Sequence, residues 1–137
     1  MTLLYRLLGV PGNEQEFIKE LREDGISNLD IVINYTRRNR DGRKTVTYFP
    51  VLEARVGERT RKMELMDLSE KVMEVPNERM EVKKIYAQNK VFDKILSLAY
   101  KYQEKGFVVT IVGKPVEEAR REIGMNYSRK MAILTSD

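Results

Sequence analysis

Histidine and cysteine are both missing from this 137-residue chain. Their absence excludes Ser-His-Asp and Cys-His nucleophile systems, thiolate redox centres, disulfides and the ordinary zinc sites. Any catalysis must rest on carboxylates holding a hard cation such as Mg²⁺, or on lysine, tyrosine or serine. No apolar run approaches the roughly 20 residues of a membrane span. Met1 to Gly9, with a lone Arg6, carries too short an apolar run for a secretion signal. The expectation is a soluble cytoplasmic protein with no membrane partner. Excess charge is also scarce: 25 Lys and Arg face 21 Asp and Glu, so attraction to a polyanion has to come from where the charges sit.

What is present suits one α+β domain spanning residues 1–137. Apolar residues at 42% exclude a disordered chain, and 34% charged residues without cysteine lean towards a thermophilic composition. The organising stretch is Asn28 to Val56. Two β-branched and aromatic runs flank Asp41-Gly42, the dipeptide best suited to a tight turn needing two positive φ values. A two-residue turn there pairs Tyr35 with Tyr48, Ile33 with Pro50, Ile31 with Leu52 and Asp30 with Glu53. The predicted order is β-α-β-β-(β)-α-β-α-β, a mixed sheet built on the long antiparallel hairpin with helices mainly on one face. A ferredoxin-like βαββαβ arrangement suits the same order once the strand near Thr60 is dropped.

The flanking elements follow from caps and periodicity. Thr2 to Leu8 reads as a buried strand. Asn13 and Glu16 form a capping box ahead of a helix over about 14–24, with Phe17 and Leu21 on its apolar stripe. A strand from Thr60 to about Met66 is followed by a short helical turn, and Pro76-Asn77 breaks the chain. Val82, Ile85, Tyr86, Phe92, Ile95, Leu96, Ala99 and Tyr102 predict a long helix, bending near Gln88-Asn89 or continuous, and stopped by Gly106. Phe107 to Val112 predicts a central strand. Pro115 opens a helix ending at Gly124, and Met131 to Thr135 suits an edge strand.

Four features bear on function. At the hairpin tip, Arg37, Arg38, Arg40, Arg43 and Lys44 face a single Asp41, with Tyr35, Tyr48 and Phe49 at its base. Such a ribbon neutralises phosphates by charge and stacks bases on its rings; equally, charges at a strand edge only prevent aggregation. Lys83, Lys90, Lys94, Lys101 and Lys105 form a second stripe along the long helix, spanning roughly 33 Å, or an ordinary solvated face. Gly113-Lys114 before a helix hints at anion capture, though it lacks the rest of a phosphate loop. The first reading is a nucleic-acid-binding protein, DNA or RNA. The alternatives are an enzyme and an assembly module forming a homodimer through exposed strand edges.

The fourth feature is Asp30 with Glu53-Ala54-Arg55 on the neighbouring strand. This pattern resembles the PD-(D/E)xK nuclease core, in which an aspartate and a Glu-x-Lys hold Mg²⁺. Gly12 to Leu21 is similar to the first helix of archaeal Holliday junction resolvases, and Lys105 to Thr110 resembles their later helix-to-strand step. Leu29 stands where the pattern has proline, Arg55 where it has lysine, and 57–88 intervenes. The resemblance implies a metal-dependent nuclease with Asp30 and Glu53 as ligands of Mg²⁺ or Mn²⁺ and Arg55 beside them. Without metal, the same three residues read as a surface cluster in which Arg55 neutralises two acids.

Overall fold

The computed structural model describes residues 13–74 and 80–122. The strands expected at Thr2–Leu8 and Met131–Thr135, the break at Pro76-Asn77 and the helix end at Gly124 lie outside these residues. Helix α1, Glu14–Glu23, is capped by Asn13, whose side-chain oxygen accepts from the Glu16 backbone N–H at 2.8 Å. It stops where Gly25 and Ile26 donate back to Arg22 and Leu21, a wrapped C-terminus that Gly25 permits.

Strands β1, Asn28–Arg40, and β2, Arg43–Val56, form the hairpin in the anticipated register, with Asp30 opposite Glu53 and Tyr35 opposite Tyr48. Strand β3, Arg59–Glu64, pairs with the base of β2, and β4, Glu70–Glu74, pairs with β2 nearer the turn. Between them a 3₁₀ turn, Met66–Leu68, takes up a three-residue slip in register. The helical spacing of Leu65, Leu68 and Val72 therefore belongs to a turn and a strand. Four strands lie between α1 and the next helix, so the ferredoxin-like alternative, which needs two, does not hold.

Helix α2, Met80–Glu104, is one continuous 25-residue helix that does not break at Gln88-Asn89. Strand β5, Val108–Ile111, returns parallel to β1 along Asn28 to Ile31. Val112 and Gly113 take φ of 49° and 75° and turn the chain into the two-residue strand β6, Lys114–Pro115. Pro115 thus belongs to a strand, and helix α3, described over 116–122, begins one residue later. The sheet order is β3-β2-β1-β5-β6, with β4 beside β2.

All three described helices contribute to the core against one face of this sheet. Phe17, Ile18 and Leu21 of α1, Val91, Ile95, Ala99 and Tyr102 of α2, and Val116 and Ala119 of α3 share a cluster with Leu29, Ile31, Leu52, Ala54, Val109 and Ile111. No helix among the described residues is long and apolar enough to cross a membrane. Tyr102 is fully buried, and its hydroxyl donates to the Glu14 carboxylate, which also pairs with Lys101 at 3.1 Å. Burial, then the Glu14 carboxylate, push the Tyr102 phenol far above its ordinary range. It stays protonated in the fold while the unfolded chain ionises near about pH 10, so its contribution is full below that pH and lost as pH rises beyond it. Tyr102→Phe should cost about 1 kcal/mol at neutral pH, and its melting temperature should fall less steeply than that of the parent above pH 10. Parallel melting curves across that range check both.

Candidate nucleic-acid interface

At the hairpin tip, Asp41 and Gly42 have φ of 52° and 77°, the paired left-handed values of a tight two-residue turn. Alternation along the strands then sorts the basic residues onto two faces. Arg38 and Arg40 lie on the face away from the helices, where Arg40 stands opposite Arg43 and Arg38 opposite Thr45. Thr45 in turn faces Met73 of β4, and Lys71 faces Thr47. Arg38, Arg40, Arg43 and Lys71, with Thr45, Met73 and Asp41, line one open depression of about 570 Å³. Asp41 is the single carboxylate among the described residues that line it. Among the described residues none of these four cations stands in an ion pair.

The helix-side face is different. Arg37 and Lys44 lie there near Glu74, which pairs with Lys84 of α2 at 3.0 Å. The hydrogen bond from Lys84, supported by the charges of Lys84, Arg37 and Lys44, holds the Glu74 carboxyl below its ordinary value. A carboxylate therefore offsets part of this face's charge, and the stronger uncompensated field lies on the other. Tyr35 is 55% exposed here, with the Arg37 guanidinium 5.8 Å from its ring centroid and Tyr48 packed 6.1 Å away. The Tyr48 and Phe49 rings are themselves buried, at 7% and 1% exposure, which leaves Tyr35 as the aromatic surface of the arm.

Lys71 could not be found from the sequence, because β4 was not anticipated and only its register places that ammonium beside the arginines. The lysine stripe of α2 is divided. Lys94 pairs with Glu70 at 2.8 Å and Lys101 with Glu14, so both tie the helix to neighbouring elements. The hydrogen bond from Lys94 lowers the Glu70 carboxyl pKa against the opposing effect of burial.

Asp30 and Glu53 stand opposite each other on the same face as the basic depression, roughly 25 Å along β1 from Arg38. Their partners differ from those expected. Asp30 Oδ1 accepts from the Thr110 hydroxyl at 2.7 Å and from the Gly113 backbone N–H at 3.0 Å. The anion that Gly113 captures is thus this internal carboxylate, while Lys114 pairs with Glu122. Glu53 is neutralised by Lys62 of β3 at 3.5 Å, and Arg55 donates through Nε to the Gly57 carbonyl at 3.4 Å. The cation beside the acids is therefore Lys62, legible only once β3 is placed opposite β2. Among the described residues no group of three or more acidic side chains is placed to hold a metal ion. Comparison with known protein families, curated proteins and solved structures finds no match for this chain.

Proposed function

We propose that this protein binds nucleic acid, docking backbone phosphates on the basic arm formed by the β1–β2 hairpin and β4. The observation that carries this reading is the convergence of Arg38, Arg40, Arg43 and Lys71 on one open depression, with a single carboxylate among the described residues that line it. Edge protection needs charges scattered along a strand; it does not need a fourth cation delivered from a different strand to the same depression. Guanidinium groups there can fork onto phosphate oxygens, since among the described residues no carboxylate holds them. The binding experiment is a salt titration with labelled oligonucleotides. A steep fall of affinity with salt supports the reading, and no binding at low salt removes it.

The nuclease alternative draws on the opposed pair Asp30 and Glu53 with Lys62 alongside. Their donor set does not fit a resident Mg²⁺ or Mn²⁺: each carboxylate is already engaged, Asp30 by two donors and Glu53 by an ammonium, and no third acidic ligand joins them among the described residues. Adding millimolar Mn²⁺ should accordingly leave the melting temperature of the protein unchanged. An upward shift that disappears in Asp30→Asn, with cleavage of branched or single-stranded DNA, would establish the nuclease reading instead.

A further inference from the structure

We propose that the strand taken by the arm is unpaired, a single-stranded DNA or RNA segment and not a duplex, on the premise that the arm docks phosphates at all. The two faces of β1 offer different chemistry across an edge that no described strand pairs beyond Ile31. Arg38 and Arg40 lie on the face of the basic depression, while Tyr35 and Arg37 lie on the other. Strand β5 pairs with β1 only as far as Ile31, whose carbonyl accepts from Val112 at 3.0 Å. From Val32 to Arg40 no described strand covers that edge.

Along β1 residues 34–40 are exposed throughout, with cations on one side and an exposed ring capped by a guanidinium on the other. Tyr35 to Arg38 spans roughly 10 Å along the strand. A single strand rotates freely enough to pass round the edge, leaving phosphates against Arg38 and Arg40 and a base against the Tyr35–Arg37 platform. A duplex keeps its bases paired inside and is stiff over about 150 base pairs, so it meets one face and gains nothing from the ring.

The test compares single-stranded oligonucleotides of about a dozen nucleotides with blunt duplexes of the same sequences, since binding sites of this type cover about 4–16 nucleotides. DNA and RNA are run in separate arms, against the parent protein, Tyr35→Leu and Tyr35→Phe. The single strands should bind more tightly than the duplexes. Tyr35→Leu should weaken single-strand binding by about tenfold with the salt slope unchanged, while Tyr35→Phe, which keeps the ring, should retain it. Duplex binding as tight as single-strand binding, or equal affinities for parent and Tyr35→Leu, would overturn the preference and leave phosphate docking in place. Absence of binding to every oligonucleotide would remove the docking premise itself.

Discussion

Replacing Arg38, Arg40, Arg43 and Lys71 together by serine should lower affinity for a single-stranded oligonucleotide by about 10²–10³-fold near physiological salt. Each phosphate contact releases condensed counterions and adds about 0.7 to the slope of log affinity against log salt, so four lost contacts should flatten that slope by about 3. Folding should be unaffected, because Arg38, Arg40, Arg43 and Lys71 are all exposed and none is ion-paired among the described residues. A control variant carrying serine at Lys19, Lys90, Arg120 and Arg121 removes the same charge from elsewhere on the surface. Its affinity should stay within a few-fold of the parent, which separates placement from net charge. Equal losses in the two variants would mean that the protein attracts polyanions only through its overall +4 charge.

The second large effect lies in the core that holds the arm in place. Leu52 has no exposed surface and sits on β2 between Ile31 of β1 and Met63 of β3, under the helices. Truncating it removes three buried carbons and leaves a cavity that a central strand, paired on both edges, relaxes into poorly. Leu52→Ala should cost about 2–5 kcal/mol and lower the melting temperature by roughly 10 °C. Chemical denaturation should show the midpoint moving with little change in the denaturant slope. A loss below about 1 kcal/mol would place Leu52 outside the well-packed centre.

How much of this was legible in the sequence depends on whether a local rule decided the outcome. The β1–β2 register was readable because Asp41-Gly42 accept two positive φ values in succession, and a two-residue turn leaves one pairing for every residue beyond it. Both ends of α1 were readable for the same reason, through Asn13 and Gly25. Strand β4 was hidden because Leu65, Leu68 and Val72 repeat at helical intervals. A 3₁₀ turn between two strand segments reproduces that spacing, and only the long-range pairing to β2 distinguishes it. Pro115 carried a true helix-start signal one residue early, since the tight turn at Val112-Gly113 adds a brief strand first.

The candidate site divides along the same line. The arginines of the tip were evident as a local concentration of charge, and alternation gives their faces. Lys71 and Lys62 were not evident, because each reaches its cluster from a strand that pairs with β2 at long range. Arg55 was expected between the two acids on the strength of its position two residues after Glu53. In the fold it instead follows its own strand end to Gly57, and Lys62 takes the place beside Glu53.

The most direct measurement is amide chemical-shift mapping of the isotope-labelled protein as a short single-stranded oligonucleotide is added. The largest changes should fall on Arg38, Arg40, Arg43, Thr45, Lys71 and Met73, with Tyr35 and Arg37 moving on the opposite face, while Asp30, Glu53 and Lys62 stay in place. Changes centred on Asp30 and Glu53, or spread without preference over the surface lysines of α2, would contradict docking on the arm.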